Sequence, residues 1–144
     1  NDNNTIGGYI LHAAEVKIHY SFAQDVCSGI MCNILVCCAA WGASAAKDIA
    51  SKIFTIWFAI MAFIIGGYEH CVANMFYFSA ALFAKTSPEM VSASHLTPDL
   101  VNSINANGIF NNLLPVTIGN IIGGALFIGV AYWVAHFRGY KQHN

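Results

Sequence analysis

The sequence predicts an all-α membrane protein with three transmembrane helices, the middle one broken near its centre. Apolar residues make up 57% of the chain and charged residues only 9%, with a mean hydropathy of +0.56, whereas soluble domains carry about 25% charged residues. The three apolar runs 26–43, 53–84 and 113–135 contain only one formal charge between them, Glu69. The expected spans cover about 21–44, 52–85 with a break near 66–71, and 110–137.

The first twenty residues differ from the rest of the chain because charged, histidine and apolar side chains alternate there. The sequence predicts that 1–20 is an external interfacial segment with a helical turn or two, and not a span. Residues 1–8 are polar and the chain does not begin with Met. We therefore expect it to be part of a longer protein.

The first span contains 18 residues without a formal charge, 26–43, and reaches ordinary transmembrane length when extended back to Ser21. Gly29 and Asn33 are four residues apart on one helical face, and Val36 follows three residues later. This small and partly polar face is expected to pack against another helix or to line a pore.

The middle span is too long for one straight crossing, because its 32 residues, 53–84, would reach about 48 Å against a hydrocarbon core of roughly 30 Å. It divides into 53–65 and 72–84, separated by a glycine pair at 66–67 and by Glu69 and His70. An ionisable group at bilayer depth costs on the order of 3 kcal/mol. A broken helix with such groups indicates a solute pathway, the alternative being a buried polar pair that only holds helices together.

The third span contains 23 residues without a charge, 113–135, with Pro115 expected in its first turn. Gly119 and Gly123 form a GxxxG pair followed directly by Gly124, which predicts close helix packing.

The loop at 86–108 contains neither Lys nor Arg and is expected outside. We expect a multi-pass protein of the plasma (inner) membrane. The positive-inside rule predicts that its C-terminus is cytoplasmic, since four basic residues lie inside and two outside: Lys47, Lys52, Arg138 and Lys141 against Lys17 and Lys85.

Other functional classes have little support in the composition. A net charge of −1 leaves no basic face for nucleic acid. The five cysteines lie in apolar runs without the paired spacing of a metal site and are expected to be small packing residues. We predict no catalytic group, no metal and no cofactor.

Three helices cannot enclose a polar path, so an oligomer or a partner with further helices is expected. The chain has the shape of one inverted three-helix repeat.

Two runs resemble a known family: GYEHCVANMF at 67–76 and NLLPVTIGNIIGG at 112–124 are similar to motifs of the formate/nitrite transporters. Segment 17–41 is similar to that family's fourth helix, so the resemblance covers nearly the whole chain except the loop near 86–94. It implies an aquaporin-like channel of six helices, assembled as a homopentamer and conducting formate, nitrite or hydrosulfide. This chain would be the C-terminal half, the second inverted repeat, with a complementary N-terminal half as partner.

The resemblance also implies roles for individual residues. His70 matches the central pore histidine, Phe63 a constriction aromatic on the same helix, and Lys17 a basic residue at the outer funnel. Two further pairs complete the pathway: Asn33 and Val36 match constriction positions, and Glu69 and Asn74 match polar residues beside the histidine. Cys71 stands where some members have Ser and Tyr68 where others have Phe, which bears on substrate preference.

Two other classes of function remain open at this point. A membrane-embedded enzyme or redox subunit would use Glu69, His70 and Cys71 as acid, base or ligand, although nothing else in the sequence completes such a site. A purely structural membrane subunit would need only the glycine face at 119–124.

Overall fold

The computed structural model describes residues 2–140, and the side chains of residues 4–136. Lys141, part of the predicted cytoplasmic charge, lies outside the described residues, as does the side chain of Arg138. Within residues 2–140 the secondary structure is helical, which confirms the predicted all-α class. The helices are α1 Asp2–Ile18, α2 Phe22–Ala45, α3 Ile49–Ile65, α4 Cys71–Ala84, α5 Pro88–Ser94, α6 Pro98–Ser103, α7 Ala106–Ile121, a π-helical segment Ile122–Gly129, and α8 Val130–Tyr140.

The chain forms two compact units. The first contains residues up to Asp25 together with Cys71–Pro115, and the second contains Val26–His70 together with the chain from Val116 onward. In the first unit α1 packs against α4, α5 and α6. Its core consists of fully or nearly buried apolar side chains: Leu11, Ala14, Phe78, Ala81, Ala84 and Ile104.

Two segments that the sequence predicts to be mostly irregular are helical. The segment 1–20 contains the 17-residue helix α1 rather than a turn or two, because Leu11 and Ala14 belong to the core of the first unit. The predicted loop at 86–108 contains the short helices α5 and α6, each of which begins with proline at its first position. Tertiary packing therefore stabilises helices whose sequence signals are weak.

The third predicted span begins earlier than expected. Helix α7 begins at Ala106, because the side chain of Asn105 caps it by accepting the N–H groups of Asn107 at 3.0 Å and Gly108 at 3.2 Å. Pro115 therefore lies inside the helix and not in its first turn. Its missing N–H removes one backbone hydrogen bond from the helix interior.

The middle apolar run is interrupted by a complete helix stop. Helix α3 ends at Ile65, and Gly67 adopts a left-handed φ of 65°. The Tyr68 N–H donates to the Phe63 carbonyl at 3.0 Å, and the Gly67 N–H donates to the Ile64 carbonyl at 3.1 Å. This hydrogen-bond pair is the Schellman motif, which glycine favours because it has no Cβ to clash at positive φ. Helix α4 then begins only at Cys71.

The other end of α3 is capped by Asp48, whose carboxylate accepts the Ser51 N–H at 2.9 Å and the Ser51 hydroxyl at 2.6 Å. These bonds lower the pKa of the Asp48 carboxyl. A lowered pKa in the folded state means that the cap stabilises the helix at neutral pH and weakens as the pH falls through that pKa.

In the second unit α2 contacts α7 and the π-helical segment at backbone distance. A Cβ at Gly119 would overlap the carbonyl oxygen of Val26, and a Cβ at Gly123 would overlap that of Ile30. From the opposite side, a Cβ on Gly29 would lie 2.8 Å from the Val116 carbonyl oxygen. The small-residue faces of both helices therefore allow the close approach that is typical of membrane helix pairs.

Two helices of the described chain have the length and hydropathy of a membrane span, Phe22–Ala45 and the continuous run Ala106–His136. The apolar helices Ile49–Ile65 and Cys71–Ala84 have 17 and 14 residues. At 1.5 Å per residue these two helices are about 26 and about 21 Å long, so each is shorter than a hydrocarbon core of about 30 Å.

Candidate functional site

The predicted pathway residues are divided between the two units. Asn33 and Val36 lie on α2, Phe63 on α3, and Glu69 and His70 in the break, all within the second unit. Two others belong to the first unit: Lys17 in the last turn of α1 and Asn74 in the first turn of α4.

His70 and Phe63 are brought into contact by the helix stop. Their ring centroids lie 5.9 Å apart with the ring planes inclined at 30°. Phe63 also supplies the carbonyl that accepts the Tyr68 N–H in the Schellman motif. The turn after α3 thus places His70 against the last turn of that helix, with both rings half-buried.

The backbone before His70 is held on both sides. The Glu69 N–H donates to the Ser28 hydroxyl at 2.9 Å, and the Glu69 carbonyl accepts from the Asn120 side-chain amide at 3.1 Å. The same amide nitrogen donates to the Gly29 carbonyl at 2.9 Å. Because both of its acceptors are carbonyl oxygens, the amide can face them only with its NH₂ group. Side chains from α2 and α7 therefore hold the peptide groups next to His70.

The Asn33 side chain is already engaged in a hydrogen bond. Its amide donates to the backbone carbonyl of Asn120 at 2.6 Å. The π-helical segment begins two residues after Asn120, and a Cβ at Gly124 would lie 3.0 Å from the Asn33 amide nitrogen. Asn33 thus joins α2 to the end of α7, next to the irregular part of the third span. Its predicted role at a constriction, like that of the half-buried Val36, stays a prediction.

The first unit contains a second polar cluster. Asn112 donates to the Asp25 carboxyl at 3.1 Å and to the backbone carbonyl of Lys17 at 3.0 Å, and it accepts from the Asn74 amide at 2.8 Å. Asp25, Asn74 and Asn112 are each only 1% exposed. The Lys17 ammonium lies 5.7 Å from the ring centroid of Tyr77, within the range of a cation–π contact.

Several of these residues were not predicted to be functional from the sequence. Ser28, Asn112 and Asn120 hold the break or the polar cluster, but their roles depend on contacts with distant segments. One signal was available: uncharged polar side chains inside apolar spans are costly unless they find a partner. Asn112 and Asn120 fit that description.

Replacing Asn120 with leucine, which is similar in size, is expected to lower the free energy of unfolding by about 2 to 4 kcal/mol, because two buried carbonyls lose their donor. Thermal unfolding of the purified protein in detergent measures the effect. Asn111→Leu is the matched control, since Asn111 is exposed on the same helix. Equal unfolding temperatures for the two variants would contradict the role of Asn120.

The long apolar helices and the interrupted helix with a histidine at the break place the chain among multi-span α-helical membrane proteins. The family model described as formate/nitrite transporter matches residues 1–134. The chain therefore belongs to the formate/nitrite transporter family, which confirms the resemblance seen in the sequence.

Individual relatives agree with this assignment. The formate channel FocA of Escherichia coli K12 is 36% identical over 144 residues, covering 98% of this chain and 50% of FocA. The formate channel BtFdhC of Bacillus thuringiensis is 42% identical over 132 residues, covering 91% of this chain and 43% of BtFdhC. Among solved structures, a pentameric formate channel with formate bound superimposes with a TM-score of 0.80 at 34% identity, covering 91% of this chain and 52% of that one.

The chain spans about half the length of these relatives. The relatives are named as channels, and the family is one of transporters rather than enzymes. The alternative of a membrane-embedded enzyme built on Glu69, His70 and Cys71 is therefore not favoured.

Proposed function

We propose that this chain forms half of a membrane channel for small monovalent anions, with formate, nitrite and hydrosulfide as the candidate substrates. The observation that carries the proposal is the His70 side chain, stacked on Phe63 at a helix break whose backbone is held by Ser28 and Asn120. An imidazole kept in one place in an apolar span is suited to act on a passing solute.

The mechanism follows from the cost of moving charge through an apolar constriction. A bare formate ion loses far more solvation free energy there than neutral formic acid does. Protonation during passage removes most of this cost. Histidine, with a reference pKa near 6.5, exchanges a proton readily near neutral pH. In this proposal the anion is attracted by Lys17 at the outer funnel and then protonated or hydrogen-bonded by His70, while Glu69 supports the break.

The assembly is part of the same proposal. No side chain of α3 is buried, and large apolar residues such as Trp57, Phe58 and Ile64 are about 60% exposed. Such a surface in a membrane protein faces lipid or further helices. We propose a complementary N-terminal half as the second repeat of an aquaporin-like fold, and a homopentameric ring in the plasma (inner) membrane with the C-terminus in the cytoplasm.

Anion flux into liposomes carrying the complete assembly tests the function. Formate, nitrite and hydrosulfide are supplied in separate runs, and empty liposomes give the background. Flux above background of at least one of these anions supports the channel. A folded assembly that passes none of the three would contradict it and favour a structural subunit.

Phe63→Ala is expected to widen the constriction and to raise flux of anions larger than formate by about threefold or more, since it removes the ring that His70 stacks on. Flux of formate and acetate through the same preparation measures the change in selectivity. Phe58→Ala is the matched control, because Phe58 is 65% exposed on the same helix. The same formate-to-acetate ratio in parent and Phe63→Ala would place Phe63 outside the path.

A further inference from the structure

We propose that Asn112 is a positioning residue for the Lys17 ammonium. It acts through the buried cluster that it forms with Asp25 and Asn74. The inference rests on the proposed function, in which Lys17 attracts the anion, and it adds residues that set where this charge stands.

Both the NH₂ group and the carbonyl oxygen of the Asn112 side-chain amide are engaged in hydrogen bonds within the first unit. Its NH₂ group has two hydrogens, and two oxygen acceptors lie within reach, the Asp25 carboxyl at 3.1 Å and the Lys17 backbone carbonyl at 3.0 Å. Its carbonyl oxygen accepts from the Asn74 amide at 2.8 Å. A flipped amide would present its oxygen to two other oxygens, so the orientation is unique. Asn112, on α7, thus joins segments of α1, α2 and α4.

The main chain turns just after Lys17, at one end of this cluster. The Lys17 carbonyl also accepts the Tyr20 N–H at 3.4 Å as α1 ends. The bond from Asn112 therefore fixes the last turn of α1, from which the lysine side chain projects. The lysine stem is long and flexible, so the position of the ammonium depends on where the stem begins and on what lies beneath it.

The group beneath the ammonium belongs to the same cluster of helices. Tyr77, whose ring centroid is 5.7 Å from the ammonium nitrogen, lies three residues after Asn74 and on the same face of α4. By bonding to Asn74, Asn112 holds the helix that carries this ring. One amide therefore fixes both the main chain of Lys17 and the aromatic surface on which its charge rests.

A displaced ammonium weakens the local potential that concentrates anions at the entrance, and this effect depends on ionic strength. The first test compares parent, Lys17→Gln, Asn112→Leu and the double variant in the complete assembly in liposomes. Formate concentration at half-maximal flux is measured at low and at physiological salt. Each single variant is expected to raise this concentration about threefold to tenfold and to flatten its salt dependence, and the double variant is expected to add nothing further. Asn111→Leu, on the exposed face of α7, is the matched control.

A double variant that exchanges the side chains of Asp25 and Asn112 separates an effect on the position of Lys17 from an effect on folding. Asn112→Asp alone places two carboxyl groups together and is expected to lower the unfolding temperature. Adding Asp25→Asn restores an amide–carboxyl contact. The carboxylate introduced by Asn112→Asp can still accept from Asn74, but it has no N–H for the Lys17 carbonyl. The exchanged pair is therefore expected to regain most of the parental unfolding temperature. Its formate concentration at half-maximal flux is expected to stay raised, as in Lys17→Gln.

Different results would refute the inference about Asn112 and the proposed function. The proposal would be overturned if Asn112→Leu kept the parental formate concentration at half-maximal flux and its salt dependence. It would also be overturned if the exchanged pair kept the parental formate concentration. Additive effects of Lys17→Gln and Asn112→Leu in their double variant would overturn it as well, as would the failure of every Asn112 variant to assemble, which would assign Asn112 to folding alone. A parent that passes no formate refutes the proposed function instead, whereas a conducting parent with unaffected Asn112 variants refutes only this inference.

Discussion

Replacing His70 with asparagine is expected to leave a folded assembly whose anion flux no longer follows pH. Asparagine keeps a hydrogen-bonding group of similar size but cannot titrate. Parental flux is expected to change by about tenfold or more between about pH 5 and 8, where an imidazole changes charge, and flux of the variant by less than about twofold. His70→Phe is expected to reduce flux further, because it removes the polar group and fills the space with a second apolar ring beside Phe63.

The measurement is formate and nitrite uptake by liposomes at several pH values, with equal amounts of assembled protein. His95→Asn is the matched control: His95 is exposed and has a φ of 55°, a conformation that asparagine tolerates well. The control is expected to keep the parental pH profile. An unchanged profile and anion preference in His70→Asn would mean that the proton comes from bulk water and that His70 is structural.

Gly123→Leu is expected to cost at least about 3 kcal/mol of stability and to prevent assembly, because overpacking a buried helix contact forces the backbones apart. Gly123 is buried, and a Cβ there would overlap the Ile30 carbonyl group of α2. The same contact region holds Gly29, whose carbonyl accepts from Asn120. Separation of the helices is therefore expected to loosen the segment that carries His70 as well.

Size-exclusion yield and thermal unfolding in mild detergent measure this effect. Gly129→Leu is the control within the same π-helical segment, since a Cβ there meets only the Gly124 carbonyl oxygen at 3.5 Å, an ordinary contact distance. Gly123→Ala is expected to fall between the parent and Gly123→Leu. Parental yield and unfolding temperature for Gly123→Leu would show that the two helices separate at little cost.

The relation between sequence and structure differs among these residues. The break at Gly66 and Gly67 was predictable, because a glycine pair inside a run too long for one crossing is a local signal and the Schellman motif is built from adjacent residues. The sequence predicts too late a beginning for α7, because Pro115 favours the first turn of a helix, whereas the Asn105 side chain caps the helix and α7 begins at Ala106. The sequence predicts too short a helix for α1, because its helical pattern is weak and the burial of Leu11 and Ala14 stabilises the helix.

By itself the sequence determined the all-α class, the interrupted apolar run and the family, because hydropathy, glycine spacing and two long motifs are properties of contiguous residues. Only the tertiary structure decided which side chains hold the site. Asn120 lies 51 residues from Glu69, and Asn112 lies 95 residues from Lys17, so no local pattern links them. Their importance comes from directional hydrogen bonds to buried backbone groups, and such bonds exist only after the helices have packed.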